Sequence, residues 1–180
     1  MKKRKIVINK GILFWITGYS GSGKSSIAKR IKKRISKLYG PTILINGDDL
    51  RNILELNKYS KIERIKNGIK FSKLCEFITN QNINVIFAVV GLFNKIRKRN
   101  KLKIKNYIEI YIKSEIKNII KKGKKKIYKK NKKNIMGKDL KAELPKNPDI
   151  TITNDLTINH NIKKLSDELF VKIKKYIDEK

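Results

Sequence analysis

Cysteine, acidic side chains and long apolar runs are all scarce in this chain. One cysteine, Cys75, in 180 residues excludes an internal disulfide and suits a reducing compartment. No stretch approaches the ~20 apolar residues of a membrane span. The basic start, Met1 to Lys10, lacks the apolar run and cleavage site of a signal peptide, so the expected location is the cytoplasm. A single histidine, His160, beside the single cysteine leaves no zinc cluster and no nucleophile triad. His160 is given no role. Fifteen Asp and Glu face 46 Lys and Arg, a formal charge of +31. Such a balance suggests either a polyanion partner or compositional drift. Lys, Ile and Asn are abundant together while Ala, Gly and Pro are sparse, and the lysines spread over nearly every segment. Drift is therefore the favoured reading, with no specific nucleic-acid partner expected and no membrane partner.

What is present centres on Gly18-Tyr19-Ser20-Gly21-Ser22-Gly23-Lys24-Ser25-Ser26. The spacing is Gly, four residues, Gly-Lys-Ser. Leu13-Phe14-Trp15-Ile16 before it reads as a buried strand, and Ile27, Ala28 and Ile31 follow at helical spacing. A glycine-rich turn between strand and helix lets backbone N–H groups converge on one anion, and the helix N-terminus adds partial positive charge. Lys24 can reach the outer phosphates and the Ser25 hydroxyl can ligate Mg²⁺. The chain is thus expected to bind ATP, with Mg²⁺.

The rest alternates strands with helices. Strands are expected at 11–17, 42–45, 83–90, 107–112 and 149–153. Helices are expected at 24–38 (Leu38 on its buried face), 48–56, 61–79 with Ser60 as cap, 93–100, 114–122 with Ser114 as cap, and 161–177. Cys75 falls in the apolar pattern Phe71-Leu74-Cys75-Ile78 and reads as core. Residues 121–148, with a lysine run at 121–133, show weak periodicity and are expected to be a lid. The pattern predicts one domain over 1–180. Its class is α/β: a three-layer P-loop nucleoside-triphosphate hydrolase-like fold on a central, mainly parallel five-stranded sheet.

Ligands of such sheets bind beyond the C-terminal strand ends. There the second strand offers Asp48, Asp49 and Arg51, and the third offers Gly91, Leu92 and Phe93. The third strand ends in no acid, which argues against a motor or GTPase. Asp48 is the candidate to hold Mg²⁺ through water or to accept a proton from an attacking hydroxyl, beside a plain reading as a helix cap. Arg64, Asn67 and Lys70 recur at three-residue spacing and are candidates, with Arg51, to clamp a second anionic group.

These motifs together resemble the adenylylsulfate kinase family over about residues 11–155. The aromatic strand and loop Phe14 to Ser26 match. So do Asn46-Gly47-Asp48-Asp49-Leu50-Arg51, Tyr59-Ser60, Glu63-Arg64, Asn67 and Lys70. Lys125, Tyr128, Gly137, Asp139, Glu143 and Asn147-Pro148-Asp149 keep the spacing of the family's lid. The resemblance implies that ATP and Mg²⁺ sit on Lys24 and Ser25. It implies that Asp48 assists the 3′-hydroxyl of adenylylsulfate. It also places Arg51, Tyr59, Arg64 and Asn67 around that acceptor, with Tyr59 stacked on its base, and Lys125 in the lid. Asn46, Gly91-Leu92, Lys126 and Lys141-Ala142 depart from the family pattern. The stretch from Gly91 to Ile112 looks more like a branch found with surface-polysaccharide genes, one type of which phosphorylates cytidine diphosphoramidate. The expected activity is transfer of the ATP γ-phosphate to adenylylsulfate. A sister kinase on another nucleotide conjugate, an inactive member of the family and a basic nucleic-acid-binding protein are the alternatives. The oligomeric state is open to a homodimer.

Overall fold

A computed structural model describes residues 9–121, 133–156 and 161–180. In chain order the elements are β1 (Ile12–Thr17), α1 (Lys24–Tyr39), β2 (Thr42–Asn46), α2 (Gly47–Ile53), α3 (Lys61–Asn80), β3 (Asn84–Ala88), α4 (Asn94–Lys103), β4 (Asn106–Lys113), α5 (Ile116–Lys121), β5 (Ile150–Thr153) and α6 (Ile162–Asp178). The five strands form one sheet in the order β2-β3-β1-β4-β5, and every neighbouring pair is parallel.

β1 is central and wholly buried, which explains its unbroken apolar run. Helices cover both faces, so neither parity of side chain can be polar. Ile12, Phe14 and Ile16 pack on one side with Ile27, Ile31 and Ile35 of α1 and Leu169 and Ile173 of α6. Leu13 and Trp15 pack on the other with Phe71 and Cys75 of α3 and Ile96 of α4. Trp15 stacks on Phe87 of β3 with ring centres 4.9 Å apart and planes within 10°. Cys75 is fully buried, and burial pushes its thiol pKa upward, so it is core as its spacing indicates.

Several expectations shift in detail. Leu38 is 53% exposed, and the last turn of α1 meets the core through Tyr39 instead. β3 ends at Ala88 rather than at residue 90. Val89 N still donates to Ile16 O at 3.0 Å, but the chain then turns away and Val89 and Val90 line a cavity. α2 stops at Ile53, and Glu55 takes a left-handed φ of 51°. Ser60 caps α3 as expected, accepting from Glu63 N. Ser114 instead donates its hydroxyl to Asn154 O at 2.9 Å, joining the ends of β4 and β5. No helix among the described residues is long and apolar enough to cross a membrane.

Candidate active site

The sheet brings the ends of β1, β2 and β3 to one edge, and the chain segments that follow them build the site. The loop after β1 enters α1 through Gly23, whose φ of 94° is left-handed and which makes no side-chain cap. A side chain at Gly23 would meet Asn154 Nδ2 at 3.0 Å, so both its backbone angle and its surroundings require glycine. Asn154 Nδ2 in turn donates to Ser22 O at 2.8 Å, bracing the loop from the end of β5. The Ser22 hydroxyl is buried without a partner among the described residues. Lys24 is 7% exposed and its amine donates to Tyr19 O at 2.6 Å, which holds it within the loop. Ser25 and Ser26 are exposed on the first turn of α1. This is a cradle of the right chemistry for phosphate: uncapped helix N–H groups, a buried hydroxyl without a partner and a fixed ammonium. Ser25, exposed on the first turn of α1, carries a hydroxyl that could ligate a metal ion accompanying such a phosphate.

Beside the loop lies a cavity of about 230 Å³. Its lining includes Ser20, Asp48, Arg51, Tyr59, Arg64 and Met136. Asp48 is exposed in the first turn of α2, and the cap position belongs to Asn46. A capping role for Asp48 is therefore not what the backbone gives it. Asn46 lacks the carboxylate that the resemblance leads one to expect, and its amide donates to Asp49 Oδ2 at 3.0 Å.

Two arginines flank Tyr59. The Arg51 guanidinium lies 4.4 Å and that of Arg64 5.2 Å from the ring centre. Arg51 donates to Leu56 O and Lys58 O at 3.1 and 2.7 Å, fixing the turn after α2. Its Nε is buried and lacks a partner among the described residues. Arg64 donates to Tyr59 O at 3.0 Å and to Asn134 O at 2.9 Å. It thus ties α3 to the segment 133–148, which packs over the cavity through Met136.

The three-residue spacing on α3 does not hold one face. Each step of three drifts about 60° around a helix of 3.6 residues per turn. Arg64 lines the cavity, Asn67 is 2% exposed beside it, and Lys70 faces solvent. The inward set continues instead at four and three residues, through Gly68 and Phe71. Trp15, Phe93, Ile96 and Met136 also line the cavity, and no local sequence pattern marks Trp15, Ile96 or Met136 as site residues. Phe93 stands where a strand-end search already pointed. Trp15 was hidden because a core strand residue and a cavity wall look alike in sequence. Lys125, Tyr128 and His160 lie outside the described residues.

Behind the cavity, Arg97 and Glu109 form a buried pair, 5% and 9% exposed, with Nε 2.9 Å from Oε1. Burial raises the Glu109 pKa to about 7, against the pull of Arg97 and with the push of Asp149. Burial also lowers that of Arg97. Both directions say that desolvation outweighs the mutual attraction of the pair.

A parallel sheet, a glycine-rich phosphate loop leading into a helix, and beside it a largely apolar cavity that carries Arg51 and Arg64 define a kinase of the P-loop class. Residues 10–153 match the family described as adenylylsulphate kinase, and the chain belongs to that family. It is 32% identical over 178 residues to the adenylyl-sulfate kinase of Clostridium kluyveri, covering 95% of this chain and 89% of that protein. It is 35% identical over 103 residues to the cytidine diphosphoramidate kinase of Campylobacter jejuni, where the match spans 57% of this chain and 61% of that protein. Its fold matches the Mycobacterium tuberculosis APS kinase CysC, solved with AMPPNP and APS, with a TM-score of 0.79 at 22% identity over 92% of this chain and 98% of that one.

Proposed function

We propose that this protein transfers the γ-phosphate of ATP to the 3′-hydroxyl of adenylylsulfate. The observation that carries the reading is the single cavity that runs from Ser20 of the phosphate loop past Asp48 to Arg51 and Arg64. It opens beside the phosphate loop at Ser20 and so offers a place for an anionic nucleotide next to a triphosphate held by that loop. The whole-length similarity to the C. kluyveri enzyme supports adenylylsulfate as that nucleotide.

In this reading the acceptor oxygen forms a bond to the γ-phosphorus, the bond from that phosphorus to the bridging oxygen of ADP breaks, and the hydroxyl proton passes to Asp48. Lys24 exchanges its neutral loop carbonyl for phosphate oxygens, a stronger, charge-assisted contact. Ser25, and Asp48 through water, would hold a Mg²⁺ ion, which would supply charge neutralisation. Arg51 and Arg64 are rigid before the acceptor arrives because the Tyr59 turn and Asn134 already hold them. Their positive charge compensates that of the acceptor, and Tyr59 supplies a face for its base.

A second reading, phosphorylation of cytidine diphosphoramidate, is favoured by the similarity to the C. jejuni protein and by glycine at position 91. ADP release measured with each acceptor and with buffer alone decides between them. Release with adenylylsulfate no faster than with buffer ends the first reading. The cytoplasm, where ATP is available, is the location this reaction implies.

A further inference from the structure

Arg97 lies behind the cavity, yet it joins segments that form the cavity wall. It is almost fully buried. Nη1 donates to Gly91 O at 3.3 Å and Nη2 to Glu143 O at 2.7 Å. Nη2 also donates to Asn94 Oδ1. Glu143 completes the arrangement. Its N–H donates to Leu92 O at 3.0 Å, and its carboxylate accepts from Asn94 N at 2.7 Å. The turn after β3 and the 133–148 segment are thereby stitched together. Gly91 and Phe93 line the cavity from the turn, and Met136 lines it from the segment.

Burying a guanidinium beside a carboxylate is unfavourable unless nearly every donor finds an acceptor. Here the donors are spent on the backbone of the two segments that flank the cavity. Glu109 sits on β4, which is paired on both sides within the sheet, by β1 and β5, and so anchors the guanidinium to the sheet. A fork of five N–H groups in one plane can span these partners, and a lysine ammonium cannot.

We propose that Arg97 is a positioning residue for the acceptor nucleotide: with Glu143 it fixes the Gly91–Phe93 turn against residues 133–143 and so sets the cavity wall. The proposal rests on the kinase reading for its assignment of the cavity to the acceptor. Arg97 touches neither substrate. Its effect passes through Gly91, Phe93 and Met136.

The chain's one tryptophan reports on this turn. The indole Nε1 of Trp15 would lie 3.1 Å from a Cβ at Gly91, so its ¹H–¹⁵N cross-peak senses any movement there. Arg97→Lys is expected to shift that cross-peak in the ligand-free protein. It is also expected to raise the acceptor KM about tenfold, while the ATP KM stays within about twofold, as the loss of charged hydrogen bonds from one side of the site requires. Glu143→Ala should act in the same direction. Glu143→Gln, which keeps an acceptor for Asn94 N–H, should restore wild-type behaviour. An unmoved cross-peak in both Arg97→Lys and Glu143→Ala overturns the proposal, and so does an equal rise in both KM values. Where Arg97→Lys does not fold, Glu143→Ala decides, because the backbone bonds at residue 143 remain. Should wild-type protein phosphorylate neither adenylylsulfate nor cytidine diphosphoramidate, the kinase reading fails. The cross-peak then still judges whether Arg97 holds the turn.

Discussion

The two halves of the site are built in opposite ways. The phosphate loop is one contiguous stretch, Gly18 to Ser26, whose ligands are largely its own backbone. A remote residue also braces it, through the amide of Asn154 on Ser22 O. The acceptor side is assembled from the ends of β2 and β3, from α3, and from residues 134–143, which are far apart in sequence. Its arginines spend much of their bonding capacity on other segments: Arg64 on Asn134, Arg51 on Leu56 and Lys58. A contiguous backbone site can be kept while the rest of the chain drifts. A site assembled from remote segments changes whenever any one of them changes. Of the departures from the family pattern, Asn46, Gly91-Leu92 and Lys141-Ala142 fall in these remote segments, and Lys126 lies outside the described residues.

The largest effect is expected where the donor half meets the chemistry. Lys24→Ala removes the ammonium that meets the developing phosphate charge, and should lower turnover by about 10³-fold or more with the fold intact. Single-turnover phosphate transfer together with a melting curve checks it. A rate within tenfold of wild type would mean that backbone N–H groups alone do the work of the loop. Asp48→Ala should fall nearly as far, and a near-normal rate there would remove Asp48 from the reaction.

The same contrast governs what could be read before the structure was known. The sheet and its helices follow from apolar runs and their spacing, and their bounds shift by only a few residues. The loop was legible because its chemistry is local. Arg51, Tyr59 and Arg64 could be named from spacing and resemblance, and the cavity brings them together. Lys70 could not be placed by spacing three, since helix geometry rotates it into solvent. Met136 and Trp15 were illegible as site residues, because which apolar side chain borders a cavity is decided by tertiary packing. The pairing of Arg97 with Glu109 joins residues on different elements, and nothing in either local pattern announces it.

That pair gives the acceptor side a dependence on pH. With its pKa raised from 4.5 to about 7, native Glu109 keeps a proton that the unfolded chain has already released between those values. Stability therefore falls as pH rises across that window, by about 3 kcal/mol at most. Urea unfolding at pH 5 and pH 8 for wild type and Glu109→Gln checks the sign. The variant should lack this fall, and equal slopes in the two proteins would show that Glu109 stays ionised beside Arg97.

Arg64→Ala sharpens the comparison from the acceptor side. It deletes a cavity cation and the tie to Asn134, and should raise the acceptor KM by about 30-fold, roughly 2 kcal/mol, with the ATP KM little changed. Matching losses for both substrates would show that the two halves do not fail separately.

The mirror experiment is smaller. Asn154→Ala removes the bond to Ser22 O and leaves the loop's own residues in place. The loop keeps its sequence and its helix, so only its rigidity is lost, and a single neutral hydrogen bond is worth about 1 kcal/mol. The ATP KM should rise by about fivefold and the acceptor KM should hold. Because a Cβ at Gly23 would come within 3.0 Å of Asn154 Nδ2, the Asn154 side chain closes this flank of the loop, and the variant opens space where a second loop conformation can form. Asn154→Leu separates the two causes. It fills nearly the same volume without adding charge and cannot donate to the Ser22 carbonyl, so an ATP KM like that of Asn154→Ala assigns the effect to the hydrogen bond, and one like wild type assigns it to packing.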